Sequence, residues 1–224
     1  MDEICALTGM YLSNSFGPAA RRRVASGEYA GWLVSPQTRG IPAGVRRGDR
    51  WAGDNGCFSA SFTDAGFIAW LRTMQPYRDS CLFVVAPDVL GDWAATAALW
   101  AKWESIIKAP GFYPAYVGQD NQPIDLLPWG RMSVYFVGGT DAWKNSAASL
   151  EIVRECRRRA VRVHLGRGNT NPRLQAFLNA YRLDIDPAGS PFPYFTFDGN
   201  GIRMAGKAAE LSDTVAQLHT RRMI

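Results

Sequence analysis

The sequence predicts an α/β protein, and three features of the chain indicate that class. Segments typical of strands and helices alternate at least five times, which favours parallel strands joined by helices. Residues 81–88 begin with a continuous apolar, β-branched and aromatic run, as in a strand covered on both faces. Several apolar runs end in one polar residue followed by Gly or Pro. About eight strands can be counted, which favours a compact TIM-like (β/α)8 barrel, although periodicity alone also fits an open sheet.

The predicted elements cover most of the chain. Strands are expected at residues 4–10, 31–34, 81–88, 113–117, 133–137, 161–165, 183–186 and 194–197, with a further short strand that begins at Trp51. Helices are expected at residues 19–25, 64–74, 93–107, 146–158, 172–181 and 205–219, and residues 35–53 resemble a long loop.

Proline, glycine and capping residues set these boundaries. Pro36 halts the second strand, and the Asn55-Gly56 pair supplies the positive-φ positions of the turn that ends the strand at Trp51. Asp92 is expected to cap the helix that follows it, and this helix ends before Pro110. Pro172 is typical of a helix N-terminus. The alternation therefore rests on local signals as well as on periodicity.

Residues with possible chemistry follow five of the predicted strands: Asp54, Asp88 with Asp92, Gln119 with Asp120, Gly138-Gly139, and Asp186. In a βα barrel such positions converge at one face. Two carboxylates on opposite sides of a bound sugar can split an N-glycosidic bond, because one supports C1′ while the other transfers a proton to or from the base. Gln with Asp can read a purine edge, and consecutive glycines let backbone N–H groups approach a ligand. His164 and Arg167 flank a glycine and can hold a phosphate.

Each of these residues also has an ordinary structural explanation. Asp54 can simply cap its D-N-G turn, and Asp88 or Asp92 can be helix N-caps. Asp120 and Asp186 can be loop residues, the paired glycines can mark a strand exit, and His164 can be a hydrogen-bonded core residue. Their shared placement at strand ends is what favours a functional site.

Composition limits the partners and the compartment. The net charge is +5, and arginines cluster at residues 21–23, 46–47, 157–159 and 221–222, which suits a polyanion but is also common on solvated faces. Aromatic residues near strand ends can stack bases or pack in the core. Four scattered Cys and two His show no zinc-ligand spacing, so no metal or cofactor is expected, and the scattered thiols indicate a reducing compartment. We expect one domain over residues 1–224, a cytoplasmic location and no membrane partner, because no long apolar run or signal peptide is evident.

Five short motifs together resemble a known family. They are Ala52-Gly-Asp54-Asn-Gly56-Cys-Phe-Ser59, Val85-Ala-Pro-Asp88-Val-Leu-Gly-Asp92, Val117-Gly-Gln119-Asp120, Phe136-Val-Gly138-Gly139-Thr140 and His164-Leu-Gly166-Arg167-Gly-Asn169. In order and spacing they resemble the tRNA-guanine transglycosylase superfamily. The greater similarity is to its small phage and bacterial DNA branch, the 7-deazaguanine DNA transglycosylases. The resemblance extends from about Trp51 to Asp186.

The resemblance implies a TIM-like barrel that exchanges a base in DNA without breaking the sugar–phosphate backbone, in a bacterium or a phage-infected host. It implies that Asp186 is the nucleophile that bonds to C1′ and that Asp54 is the general acid/base. DNA and a free 7-deazaguanine-type base would be the partners. The residues expected to recognise the base are Asp88, Gln119, Gly138 and Gly139, and those expected to contact phosphate are His164, Arg167 and Asn169.

The chain departs from the family pattern in three respects. It lacks the cysteine-rich zinc site of the tRNA enzymes, which argues against tRNA as the substrate, and it is short. The segment 183–190 also fits the nucleophile strand imperfectly, because Asp184 shares a strand face with Asp186 and spacing does not separate them.

Three functions therefore stay open at the level of the sequence. The first is base exchange in DNA, and the second is a hydrolytic DNA glycosylase that excises a modified base, for example in defence against phage, and leaves an abasic site. The third is a barrel that binds nucleic acid or phosphate without catalysis. The oligomeric state is not predicted.

Overall fold

Eight parallel strands form the centre of the molecule in a computed structural model that describes residues 10–168, 171–181 and 195–199. The strands lie in one sheet in sequence order, from the first to the eighth. A parallel bridge between Tyr11 and Phe197 connects the two edges, and the Phe197 backbone N–H donates to the Met10 carbonyl at 3.1 Å. The sheet is therefore a nearly closed barrel with helices between its strands, which confirms the predicted TIM-like (β/α)8 fold.

The strands are β1 Leu12–Ser13, β2 Gly31–Val34, β3 Trp51–Gly53, β4 Cys81–Val85, β5 Pro114–Gly118, β6 Val134–Val137, β7 Arg162–Leu165 and β8 Phe195–Phe197. The α-helices are α1 Pro18–Ala25, α2 Ala43–Arg46, α3 Asp64–Met74, α4 Trp93–Lys108, α5 Asp141–Lys144, α6 Ala147–Arg158 and α7 Asn171–Tyr181. Short 3-10 helices cover Gln75–Ser80 and Ile124–Leu126.

The core has two layers because successive strand residues point to opposite faces of the barrel wall. In β2, Leu33 belongs to the cluster that also contains Ala52 and Val117, and this cluster fills the barrel interior. Its neighbour Trp32 belongs to the larger cluster between the barrel and the surrounding helices. Almost every position of the strands is buried, which is why they appear in the sequence as continuous apolar runs.

Side-chain caps begin several of the helices that follow strands. The Asp92 carboxylate accepts a hydrogen bond from the Ala95 backbone N–H at 2.9 Å, as predicted, and α4 then runs to Lys108. Thr63 caps α3 in the same way through the Gly66 N–H. Each cap fixes the residue at which its helix begins.

The structure differs from the prediction in the first half of the chain. The predicted strand at residues 4–10 falls largely outside the described residues, and the first described strand lies just beyond it at Leu12–Ser13. The expected long loop at residues 35–53 contains the helix α2, whose four residues are too few to show a helical period. The predicted strand at 183–186 and helix at 205–219 lie outside the described residues, as do Asn169, Asp184 and Asp186.

Candidate active site at the carboxyl ends of the strands

A pocket of about 430 Å³ opens at the carboxyl ends of the barrel strands, the face on which βα barrels carry their active sites. Its volume is within the range usual for small-molecule sites. Strands β2 to β8 or the loops that follow them all contribute to it. The lining residues are Leu33, Asp54, Asn55, Phe58, Val85, Asp88, Leu90, Val117, Phe136, Gly138, Gly139, Lys144, Gly166, Arg167 and Asp198.

Asp54 enters the pocket directly after β3. Its backbone N–H donates to the Val34 carbonyl at 2.8 Å, which extends the β2–β3 pairing to the pocket wall. Of the Asn55-Gly56 pair that was predicted to supply positive-φ positions, Gly56 has a φ of 66°, whereas Asn55 does not have a positive φ. Burial, with a smaller contribution from the nearby charge of Asp198, raises the pKa of the Asp54 carboxyl to about 6. Asp54 can therefore hold or release a proton near neutral pH.

Asp88 is held by hydrogen bonds to both of its carboxylate oxygens. One oxygen accepts from Asn55 Nδ2 at 2.9 Å and from Cys57 Sγ at 3.4 Å. The other accepts from Gln119 Nε2 at 2.7 Å, while Gln119 Oε1 accepts from the Gly91 backbone N–H at 2.9 Å. Burial raises the pKa of Asp88, and these hydrogen bonds oppose that rise. The network fixes the orientation of Asp88 and presents it to the pocket as a hydrogen-bond acceptor.

Asp198 follows β8 and is the third carboxylate of the pocket. Its Oδ1 accepts from the Arg167 backbone N–H at 2.6 Å and lies 3.4 Å from His164 Nε2. His164 Nδ1 is in turn 2.8 Å from Thr196 Oγ1, which fixes the position of the imidazole ring. Burial alone would raise the pKa of Asp198, but His164, the Arg167 N–H and the charge of Lys144 together hold it below its ordinary value. Asp198 is therefore ionised at neutral pH.

Lys144 lies at the end of α5 with only 2% of its surface exposed, and it lines the pocket. Its Nζ donates to the Gly166 carbonyl at 2.8 Å. Burial, followed by the charge of Arg167, lowers the pKa of the Lys144 amine to about 8. Lys144 thus places a cation of reduced basicity beside the carboxylates.

Gly138 and Gly139 form the part of the wall that follows β6. A Cβ atom at Gly138 would lie 2.5 Å from a methyl group of Val117, so a larger residue would displace the barrel lining. Gly139 has a φ of 74°, and a Cβ there would collide with Asp120 and Trp143. Both positions need glycine, and both leave the backbone open to the pocket.

The structure brings five of the predicted site residues together at the pocket surface: Asp54, Asp88, Gly138, Gly139 and Arg167. Gln119 and His164 are fully buried behind them, where the first orients Asp88 and the second contacts Asp198. Asp120 accepts hydrogen bonds from the Thr140 N–H and hydroxyl at 2.7 and 2.6 Å. It therefore connects the loop after β5 to the loop after β6. Asp186 and Asn169 are outside the described residues.

Three polar or charged pocket residues were not selected from the sequence: Asn55, Lys144 and Asp198. Asp198 had a usable signal, because Asp198-Gly199 follows β8 much as Asp54-Asn55-Gly56 follows β3. Lys144 carried no usable signal in the sequence, because a lysine in such a segment is usually exposed to solvent. Its burial depends on packing between the α5 region and β7.

The arginine clusters differ in the number of ion pairs that they form with acidic residues. On α6, Arg158 pairs with both Glu151 and Glu155, and Arg159 pairs with Glu155. Two glutamates of α6 therefore balance part of the charge of this cluster. Arg21 lines a separate pocket of about 180 Å³ together with Arg39, and neither forms an ion pair with another described residue.

Within the described ranges, no group of three or more His, Cys, Asp or Glu side chains is arranged to hold a metal ion. Among the helices that the structure describes, none combines the length and the apolar composition that a membrane span requires.

The fold and the pocket define a parallel βα barrel with acidic and basic residues gathered at the carboxyl ends of its strands. No protein-family model matches the chain, and no curated protein matches it significantly. Among solved structures, it is similar to the 4-hydroxy-2-oxoglutarate aldolase/2-deydro-3-deoxyphosphogluconate aldolase from TTHB1, with a TM-score of 0.38 and 11% identity over 97% of this chain and 98% of that chain. A likeness of this size carries no inference about activity.

Proposed function

We propose that this protein is an enzyme that acts on the N-glycosidic bond of a nucleobase in DNA. In this proposal it exchanges a guanine for a 7-deazaguanine through a covalent aspartate intermediate. The site geometry supports the proposal independently of the motif resemblance, because it supplies two carboxylates in different protonation states and a separate group that can read a base.

The observation that carries the proposal is the opposite effect of the pocket on Asp54 and Asp198. Burial raises the pKa of Asp54 to about 6, whereas the contacts of Asp198 hold its pKa below the ordinary value. Pairs of carboxylates whose pKa values are separated in this way divide the roles of proton donor and anion in glycosidic-bond chemistry. Asp54 is thus suited to proton transfer and Asp198 to attack on C1′.

The first half-reaction breaks the bond between C1′ and the base. An oxygen of Asp198 forms a bond to C1′ as the electron pair of the C1′–N bond passes to the base. The protonated carboxyl of Asp54 gives its proton to the base, which therefore leaves as a neutral molecule. The sugar remains bonded to Asp198, and the phosphodiester backbone stays intact.

The second half-reaction restores the carboxylate of Asp198. The incoming base loses a proton to the Asp54 carboxylate as its nitrogen forms a bond to C1′, and the bond between C1′ and Asp198 breaks. If water attacks instead, its proton passes to Asp54 and the DNA is left with an abasic site. The same residues therefore serve exchange and hydrolysis, and the products distinguish the two reactions.

Base recognition falls to the Asp88 network and the glycine pair. Asp88 is fixed as an acceptor, so it suits a base edge that presents N–H donors, as the N1 and N2 positions of guanine do. Gly138 and Gly139 bring backbone close to the ligand on another side of the pocket. A buried acceptor that loses its donor is costly, so this network favours guanine-type edges over bases without adjacent donors.

We infer that Asp198 is the nucleophile, whereas the motif resemblance implies Asp186. Asp198 lines the pocket and is ionised, which are the two properties that the attacking group needs. Asp186 lies outside the described residues, so its role stays a prediction. Substitution of each residue separately decides between them.

The test is mass analysis of nucleosides and free bases after incubation with natural and hypermodified DNAs. We expect the wild-type protein to release guanine and to incorporate labelled 7-deazaguanine, whereas alkali-labile sites would indicate hydrolysis instead. Asp198→Asn should lose the reaction while Asp186→Asn and the exposed control Asp125→Asn retain it. Loss in Asp186→Asn alone would transfer the role of nucleophile to Asp186. Normal DNA binding with no base release from any substrate would support the non-catalytic barrel.

A further inference from the structure

Large apolar side chains are exposed at the mouth of the pocket. Phe58 is 65% exposed, Leu90 is 49% exposed and Val89 is 38% exposed. We call these three residues the apolar lip. Phe58 and Leu90 also line the pocket, so the lip is continuous with the proposed active site. Exposed apolar groups grouped in this way mark an interaction surface rather than scattered surface residues.

The backbone beneath the apolar lip is held by buried polar groups. Asn55 Nδ2 donates to the Ala86 carbonyl at 2.8 Å, which connects the loop that carries Phe58 to the loop that carries Val89 and Leu90. The Val89 N–H donates to Thr96 Oγ1 at 3.0 Å, and that hydroxyl donates back to the Val89 carbonyl at 3.2 Å. The lip therefore presents apolar side chains from a fixed support.

The pocket also has a cationic wall. Arg167 holds a φ of 53°, and its backbone N–H is bound to Asp198. The exposed Arg167 residue lines the pocket, where its charge opposes the rise in the pKa of Asp88, and it forms no ion pair with another residue that the structure describes. An apolar edge combined with an exposed arginine around one pocket matches a polynucleotide, which offers base faces and phosphates next to each other.

We propose that the apolar lip is a wedge that enters the base stack of duplex DNA beside the target nucleotide. This inference rests on the proposed function, because a base inside a duplex must leave the stack before Asp54 and Asp198 can reach its glycosidic bond. Apolar side chains inserted at a base step compensate for part of the lost stacking. Phe58 and Leu90 are placed to fill the space that the flipped nucleotide leaves, while Arg167 meets its phosphate.

The wedge predicts that the lip matters for duplex DNA and not for DNA whose bases are already unstacked. The test compares the double variant Phe58→Ala/Leu90→Ala with the control Tyr113→Ala. Tyr113 is also a large exposed side chain, 47% exposed, but it precedes β5 at the opposite end of the barrel. Circular dichroism of each variant first verifies that it is folded.

The first measurement detects base flipping without chemistry. Both surface substitutions are placed in an Asp198→Asn background, and each protein is titrated into a short duplex that carries 2-aminopurine next to a guanine. We expect the fluorescence increase on binding to fall about tenfold with the lip variant and to be unchanged with Tyr113→Ala. A lip variant that retains the full increase overturns the wedge.

The second measurement uses proteins that retain Asp198 and compares base release from duplex and single-stranded DNA of one sequence. The wedge predicts a loss of about tenfold or more on the duplex and less than about threefold on the single strand. An equal loss on both substrates would mean that the lip only shapes the pocket. A lip that instead covers a second copy of this chain would show as weaker self-association of the lip variant in sedimentation, without a duplex-specific defect, and this also overturns the proposal.

These results separate the wedge from the proposed function. If no DNA releases a base but the flipping signal depends on the lip, the wedge stands and the glycosidic chemistry is wrong. If base release occurs but does not depend on the lip in duplex DNA, the chemistry stands and the wedge is wrong.

Discussion

Replacing Asp54 with asparagine removes a carboxylate that the folded protein holds in an unfavourable environment. Burial raises the pKa of Asp54 from 3.8 to about 6, so the folded state binds a proton more tightly than the unfolded state does. The stabilisation from this proton is complete below the unfolded pKa and is lost as the pH rises through about 6. At 1.36 kcal/mol per pKa unit, ionised Asp54 lowers the free energy of unfolding at pH 8 by up to about 3 kcal/mol.

Asp54→Asn should therefore be more stable than the wild-type protein at pH 8, by up to about 3 kcal/mol, and the difference should shrink towards zero near pH 4. Urea denaturation at both pH values measures the free energy of unfolding, and equal m-values verify that the two proteins unfold alike. Asp198→Asn provides the opposite control, because the lowered pKa of Asp198 stabilises the fold at neutral pH. An Asp54→Asn protein that is less stable at pH 8, or whose advantage is independent of pH, would refute this reasoning.

Three further outcomes follow from the pocket. The kcat/KM for base release should fall as the pH rises above about 6, because Asp54 then loses its proton. Asp54→Asn should remove that pH dependence and lower kcat by about 10²–10⁴-fold. A wild-type pH profile that is flat would contradict the role of Asp54 in proton transfer. Lys144→Met should abolish any second transition near pH 8 in the same profile, and a transition that persists must belong to another group. Gly139→Ala should lower the free energy of unfolding by about 1–3 kcal/mol, because Gly139 has a positive φ and a Cβ there would meet Asp120. The control Gly130→Ala also has a positive φ but open space around it, so its free energy of unfolding should fall by less. Urea denaturation measures both values.

Local sequence signals account for much of the barrel. The helix α3 occupies the predicted residues 64–74 because its apolar positions repeat at helical spacing and Thr63 caps its first turn. The strand β2 also has the predicted bounds, since Pro36 follows it closely. The helix α2 was missed because four residues surrounded by Gly and Arg carry no periodic signal. Closure of the barrel also required the structure, because the contact between Tyr11 and Phe197 joins the two ends of the described chain.

The candidate site was only partly predictable for a related reason. Asp54 and Asp88 stood out because each follows an apolar run and adjoins a turn residue. Asp198 follows a strand of only three residues, and so short a strand carries little signal in the sequence. Lys144 acquires its role through burial against the Gly166 carbonyl, and such burial depends on contacts between distant segments that no local pattern encodes.

The most direct test of glycosidic-bond chemistry is intact-protein mass spectrometry after a rapid acid quench of the enzyme mixed with guanine-containing DNA. We expect a protein–DNA adduct that maps to Asp198, disappears in Asp198→Asn, and forms together with an equal amount of free guanine. Free guanine without any adduct would indicate direct hydrolysis. An absence of both guanine release and adduct, from folded protein on every DNA tried, would contradict the account.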